Sequence, residues 1–267
     1  MTERVLVDVR DQVAYVTLNR PEKYNGLDFP MFAGLIDAAE RVAADRSVRV
    51  VVLSGAGKAF CAGLDFAAVG KEPPLKHARA FAKLPTQTTN VFQRSCWAWR
   101  ELPVPVIAVL QGYCFGGGMQ LALAADFRFA TPDCELSIME AKWGLIPDMT
   151  GSVTLRELVP MDVAKRLTMT AEVFDGTKAL EYGLVSGVSD DPRKNADALA
   201  NELITRSPDA LALTKRLFHT TWNSSPRAAF WTESWLQQKL LRGANHKIVR
   251  KANQAKELPA YVARRFK

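Results

Sequence analysis

The chain has 267 residues, of which 48% are hydrophobic and 24% charged, so it can bury a substantial core and is not generally disordered. Its net charge of +7 permits contact with a polyanion, but no nucleic-acid-binding motif accompanies that charge, and we interpret the basic stretch 242–265 as a solvated helical face. No apolar run is long enough to span a bilayer, and the first residues lack a secretory signal. We therefore expect a cytoplasmic protein that binds neither membranes nor nucleic acids.

The cysteines and histidines argue against a metal site. The four cysteines form no CxxC pair, and the three histidines are scattered along the chain. We expect reduced, mostly buried thiols and no bound metal at Cys61, Cys96, Cys114 and Cys134.

In the first two thirds of the chain, short β-rich runs alternate with helical patterns. Residues 5–18 predict a β-hairpin around a polar turn at 10–12, and apolar residues from 32 to 42 recur at helical spacing. Residues 67–85 lack clear periodicity and suggest a mobile segment. Further strands are predicted at 48–53, 105–110, 127–130, 135–138 and 184–188, and further helices at 88–101 and 119–125.

After residue 191 the strand signals vanish, and three or four amphipathic helices fill the remaining sequence. Strand–loop–helix units followed by a helical tail predict an α/β core over 1–191 and a C-terminal helical region over 192–267.

Two segments share one design, in which a buried strand leads through a loop of small residues into a helix. The loops are 55–65 and 112–118. Glycine permits positive φ and a close approach to the backbone, and a helix N-terminus offers unpaired N–H groups. Two such loops converging on one oxygen would form an oxyanion hole. Ala59 after Lys58 excludes a GxxxxGK[ST] phosphate loop, whereas the glycines 116–118 alone would also suit close packing of a helix on a strand.

Several motifs in order resemble the crotonase family, also called the enoyl-CoA hydratase/isomerase family. The resemblance covers nearly the whole chain. It is carried by residues 19–25 (NRPEKYN), 59–65 (AFCAGLD), 112–121 (GYCFGGGMQL), 124–128 (AADFR), 140–147 (EAKWGLIP) and the Ser207-Pro208 pair before a helix with Lys215.

The resemblance implies a crotonase-like spiral of ββα units with a C-terminal helical region for oligomerisation, in a homotrimer or in a hexamer built as a dimer of trimers. It implies an acyl-CoA substrate whose thioester oxygen is bound by the N–H groups of Leu64 and Gly117. Coenzyme A is then part of the substrate, and no separate cofactor is expected. Coenzyme A contacts are expected at Lys23, Ala62, Gly63, Leu64 and Asp65, and the acyl pocket at Trp143 and 67–85.

The resemblance also assigns the acid–base positions to Gln120, Glu140 and Asp148. Typical hydratases of the family carry a second glutamate where this chain has Gln120, and glutamine can orient a water but cannot take its proton. Dienoyl-CoA isomerases of the family carry an aspartate at the spacing of Asp148. Asp148 is also a candidate helix cap, because aspartate is a favoured N-cap residue.

We therefore predict an enzyme that stabilises a thioester enolate and hydrates or shifts the double bond of an enoyl-CoA. A dienoyl-CoA isomerase using Glu140 and Asp148 is one alternative. A weakly catalytic homologue that binds CoA esters or RNA is another, and thioester hydrolysis or dehalogenation is a third.

Overall fold

A twisted, mostly parallel sheet forms the centre of the structure, a computed structural model that describes residues 3–266. Its strand order is β1-β2-β3-β4-β6-β8, and β5 pairs with β7 in a second, smaller sheet. The strands are β1 (Val5–Arg10), β2 (Val13–Leu18), β3 (Val50–Gly55), β4 (Val106–Leu110), β5 (Tyr113–Phe115), β6 (Phe127–Ala130), β7 (Glu135–Ser137) and β8 (Gly187–Val188).

Helices connect several of these strands and form the C-terminal part of the chain. They are α1 (Phe29–Ala44), α2 (Phe66–Val69), α3 (Pro74–Phe81), α4 (Val91–Glu101), α5 (Gly117–Leu123), α6 (Gly151–Leu158), α7 (Met161–Thr170), α8 (Gly176–Glu181), α9 (Pro192–Ile204), α10 (Pro208–Thr221), α11 (Pro226–Leu241) and α12 (Ala244–Ala255). Short 3-10 segments occupy Pro21–Lys23 and Met139–Trp143.

The predicted hairpin is confirmed. β1 and β2 pair antiparallel with Val5 opposite Leu18, and both turn residues, Asp11 and Gln12, have positive φ. This two-residue turn matches the right-handed twist of the strands. From β2 onward the large sheet is parallel, and β3 is buried along its whole length, as its near-continuous apolar sequence predicts.

Helices cover both faces of the large sheet. On one face the core includes Phe32 of α1 and Trp99 of α4. On the other face Val52 and Ile107 pack against Ala196 and Ala200 of α9. The helical region predicted from residue 192 thus begins with a helix that belongs to the packing of the sheet, and its status as a separate domain stays a prediction.

The segment predicted to be mobile contains two short helices. Asp65 caps α2, because its carboxylate accepts a hydrogen bond from the Ala68 N–H at 2.9 Å. Pro74 opens α3, at a position where the missing N–H costs nothing. Most of α3 is exposed, so its sequence lacks the wide apolar stripe that reveals a longer helix.

One buried lysine joins the C-terminal helices to the core. The Lys215 ammonium on α10 lies 2.7 Å from Asp126 and donates to the carbonyl oxygens of Trp99 and Val104. Beyond it, α10, the residue that follows α10, and α11 expose large aromatic side chains at Phe218, Trp222, Phe230, Trp231 and Trp235. The homotrimer or hexamer stays a prediction.

The four cysteines are free and buried, as predicted. Within residues 3–266, His, Cys, Asp and Glu side chains form no group of three or more that could hold a metal ion. None of the helices in this range has the length and apolar character needed to span a membrane.

Candidate active site

Three parallel segments run side by side and end at one cavity. The segment after β3 pairs with β5, because the Phe60 and Cys61 N–H groups donate to residues 111 and 113 at 2.9 Å and the Phe115 N–H donates to Cys61 at 3.0 Å. β5 pairs in turn with β7. This arrangement brings the residues just beyond each segment, Leu64, Gly117 and Glu140, into the lining of one cavity of about 310 Å³.

Glycine is required where the first two segments touch. Gly63 has φ +88°, and a Cβ there would lie 2.8 Å from the Phe115 carbonyl oxygen. Gly116 has φ +51°, with ψ −119°, a conformation that side chains rarely allow. The small residues therefore set the path of the backbone on either side of the cavity.

The N–H groups of Leu64 and Gly117 are unpaired. Within residues 3–266, neither donates a hydrogen bond to a protein acceptor, although the flanking Asp65 and Gly116 N–H groups do. Both residues line the cavity. Two free donors beside one cavity can bind an oxygen that gains negative charge.

The Glu140 carboxyl lines the same cavity and is largely withdrawn from water, with 8% of the residue exposed. Its Oε1 accepts from Gln120, and its Oε2 has no partner within the described chain. Burial raises the pKa of Glu140, and the Asp148 carboxylate raises it further, against the opposing effect of the hydrogen bonds. A carboxyl with a raised pKa can both accept and return a proton near neutral pH.

Gln120 lies behind Glu140 and does not itself line the cavity. Its Nε2 donates to Glu140 Oε1 at 2.5 Å, and its Oε1 accepts from the N–H groups of Met149 and Gly151 at 2.8 and 2.9 Å. Between these two donors, Thr150 has φ +87°, which is unusual for a β-branched residue. Gln120 thus ties Glu140 to a strained loop and acts as a positioning residue in this geometry.

Asp148 lies on that loop and lines the cavity. It does not cap α6, since the N-cap residue is Thr150, so the helix-cap alternative is wrong. Partial burial of the carboxyl raises the pKa of Asp148. Because the residue as a whole remains exposed, water moderates that effect, and the case for a proton carrier is stronger at Glu140.

The residues predicted to contact coenzyme A divide into two groups. Ala62, Gly63 and Leu64 line the cavity, whereas Lys23 and Asp65 do not. The Asp65 carboxylate caps α2 and lies 2.7 Å from Arg20, so its side chain has a structural role. Trp143 lines the cavity with residues of 67–85, namely Val69, His77 and Phe81, and the assignment of these residues to an acyl pocket stays a prediction.

Sequence reasoning missed the side chain that holds the first loop. Buried Asn25, with φ +57°, donates from Nδ2 to the carbonyl oxygens of Ala56 and Ala59 at 2.9 and 2.8 Å, and its Oδ1 accepts from the Arg20 N–H. The motif contained Asn25, but nothing in its spacing indicated these partners. The cavity residues Phe32 of α1 and Phe92 of α4 were also missed.

Replacing Gln120 with glutamate is expected to destabilise the fold increasingly as the pH rises. One new oxygen can accept the two loop N–H groups, but the other meets Glu140, so one carboxyl keeps its proton and its pKa rises in the folded state. The folded state then binds more protons than the unfolded state, and stability falls above the unfolded glutamate pKa of about 4.3. We expect a loss of about 1–3 kcal/mol at pH 8 and less near pH 4.

Thermal unfolding from pH 4 to pH 8 measures this effect. Gln238→Glu, on the exposed surface of α11, is the matched control and should follow the parent chain. A pH-independent difference between Gln120→Glu and the parent would show that the two carboxyls do not meet.

Comparisons with known proteins identify the family of the chain. A family model for enoyl-CoA hydratase/isomerase matches residues 8–264. An (E)-benzylidenesuccinyl-CoA hydratase of Thauera aromatica is 35% identical over 79% of this chain and 80% of its own length. A mitochondrial Δ(3,5)-Δ(2,4)-dienoyl-CoA isomerase of Mus musculus is 31% identical over 87% and 75%.

The solved structures include an enoyl-CoA hydratase from Bacillus anthracis that superposes with a TM-score of 0.88 at 27% identity, covering 97% of this chain and 98% of that one. The fold and the family resemblance are thereby confirmed. The chain belongs to the enoyl-CoA hydratase/isomerase family, the crotonase family, and is a hydratase/isomerase enzyme.

Proposed function

We propose that this enzyme transfers a proton along an unsaturated acyl-CoA and so shifts its C=C bond through a thioester enolate. The observation that carries the proposal is the buried Glu140 carboxyl, with its free Oε2, in the same cavity as two unpaired backbone N–H groups. A base beside an oxyanion site is the arrangement that enolate chemistry requires.

The thioester oxygen accepts hydrogen bonds from the N–H groups of Leu64 and Gly117. These bonds strengthen as the oxygen gains charge, so they stabilise the enolate more than the ground state. One carboxyl removes a proton from the saturated carbon next to the thioester, or from the saturated carbon next to the conjugated C=C bond, and a carboxyl then returns a proton to a different carbon of the resulting enolate. Atoms and charge balance, because the product is an isomer of the substrate.

Glu140 and Asp148 are the proton carriers in this proposal. Gln120 is excluded as a proton carrier, because an amide cannot take a proton and both ends of this amide already have hydrogen-bond partners. The likeness to the mouse dienoyl-CoA isomerase favours the same reaction class. No resident cofactor is required, since coenzyme A arrives and leaves with the acyl group.

The coenzyme A portion is proposed to follow the backbone of Ala62, Gly63 and Leu64 toward exposed Lys23. The Ala62 N–H donates to the Tyr24 carbonyl oxygen at 2.9 Å, so Lys23 is adjacent in sequence to a residue that touches this backbone. Its ammonium group could then meet a phosphate, and Asp65 would contribute through its backbone alone.

Hydration is the second candidate. The relative from Thauera aromatica is named a hydratase, and the partnerless Oε2 of Glu140 could hold a water. The hydrogen-bonding neighbour of Glu140 is an amide rather than a second glutamate, however, because residue 120 is glutamine. The two reactions differ in product mass, since hydration adds one water and isomerisation adds nothing.

The proposal is tested with 2-enoyl, 3-enoyl and dienoyl CoA esters in H₂O and in D₂O. We expect a product of unchanged mass in H₂O that gains deuterium in D₂O. Asp148→Asn should lower this turnover by about 10²-fold, because a second proton carrier is lost. Asp162→Asn, at an exposed site on α7, is the control. A gain of one water would favour hydration, and tight binding without turnover of any ester would refute both reactions.

A further inference from the structure

Aromatic rings form a substantial part of the cavity wall. Among the residues that the structure describes, six aromatic side chains line it, and they come from α1, α2, α3, α4, β5 and the second 3-10 segment. They are Phe32, Phe66, Phe81, Phe92, Phe115 and Trp143. Segments that are distant in sequence thus each contribute an aromatic ring to the same cavity.

These rings are held in place by one another. Phe92 packs edge-to-face on Phe32 with centroids 5.1 Å apart, and Phe81 lies 4.8 Å from Phe92. Phe66 and Trp143 form a second pair at 4.7 Å. Such distances lie in the favourable range for aromatic pairs, and fixed rings offer an entering ring defined faces and edges.

Part of this aromatic surface is open to solvent. Phe66, Phe81 and Trp143 are 43%, 54% and 56% exposed, although Phe32 and Phe92 are buried. A ligand in the cavity would cover the open rings, and the buried pair would form a rigid floor that does not need to rearrange.

The ionisable side chains of the cavity disfavour an acyl group that carries a carboxylate of its own. Among the described lining residues, the ionisable side chains are Glu140, Asp148 and His77, and none is Lys or Arg. The His77 Nε2 already lies 3.1 Å from the Val69 carbonyl oxygen. A carboxylate on the acyl group would therefore meet two carboxyls without a lysine or arginine to pair with.

From these observations we infer that the acyl group of the substrate carries an uncharged aromatic ring. This inference rests on the proposed function, because it names the substrate class of the same site. It differs from a preference for any apolar group, since it requires aromatic rather than aliphatic carbon.

Three saturated esters separate these properties: 3-phenylpropanoyl-CoA, 3-cyclohexylpropanoyl-CoA and 3-(4-carboxyphenyl)propanoyl-CoA. Cyclohexyl has the larger apolar area, so burial alone favours it. Ring–ring contacts reverse that order, and calorimetry should show the phenyl ester binding about three- to tenfold tighter than the cyclohexyl ester. The carboxyphenyl ester should bind more weakly than the phenyl ester.

Variants locate the preference in the cavity. Phe66→Leu and Phe81→Leu replace partly exposed rings, so both chains should fold, and each should lower the phenyl-to-cyclohexyl ratio about twofold or more. Phe230→Leu, 63% exposed on α11, should leave the ratio unchanged.

Equal or tighter binding of the cyclohexyl or carboxyphenyl ester would overturn the inference and leave the proposed reaction standing. Failure of all three esters to bind would instead refute the acyl-CoA site, and with it both proposals.

Discussion

Replacing Glu140 with glutamine is expected to lower turnover by about 10²–10⁴-fold while acyl-CoA binding changes only a few-fold. The amide keeps the shape of the side chain, and its oxygen can still accept from Gln120 Nε2. What it loses is the ability to carry a proton. Single-turnover kinetics with an unsaturated ester, together with calorimetry of a saturated one, measure the two effects separately.

Glu135→Gln is the matched control for this change. Glu135 lies on the same stretch of chain, at the start of β7, but it is exposed and does not line the cavity. Its variant should turn over at the parental rate. If Glu140→Gln were as active as Glu135→Gln, the proton would have to be carried by another group.

Replacing Gly63 with alanine is expected to lower kcat/KM by about 10²–10³-fold, the usual cost of losing one oxyanion donor. An alanine Cβ would lie 2.8 Å from the Phe115 carbonyl oxygen, so the two loops must separate. The N–H of the next residue, Leu64, then moves from its place beside the cavity. Steady-state kinetics on variants verified by thermal unfolding provide the measurement.

Gly183→Ala is the control, because Gly183 also has positive φ, +78°, yet its Cβ would meet only an ordinary contact at 3.4 Å from the Leu158 carbonyl oxygen. Gly183→Ala therefore introduces backbone strain of the same kind as Gly63→Ala, but residue 183 does not line the cavity. Equal activity of the two folded variants would mean that Leu64 does not bind the thioester oxygen.

The sequence was informative wherever a short motif carries its own geometry. The resemblance located Leu64, Gly117 and Glu140, and the two loops of small residues that follow apolar strand-like runs pointed independently to the first two. The hairpin, the buried parallel strands and the helical C-terminal part were readable for the same reason, since each has a strong local pattern.

The sequence was silent where a contact joins distant residues. Gln120 bonds the N–H groups of Met149 and Gly151, which lie 29 and 31 residues further along the chain. No local pattern marks that contact. The role of Asp148 was ambiguous because the sequence did not show where α6 begins. The N-cap of α6 is Thr150, and its positive φ is not expected of a β-branched residue.

The aromatic lining shows the same limit. Phe32 and Phe92 satisfy the apolar faces of α1 and α4, so in sequence they are indistinguishable from ordinary core residues. Only the packing of these helices around one cavity gives them a second role.

Infrared spectroscopy of a thioester carbonyl tests the central claim most directly. A saturated acyl-CoA labelled with ¹³C at the thioester carbon would be bound to the enzyme, and its carbonyl stretch compared with that in water. Two hydrogen bonds from Leu64 and Gly117 predict a shift to lower frequency that Gly63→Ala reduces and Gly183→Ala retains. An unshifted carbonyl in the tightly bound ester would contradict the account.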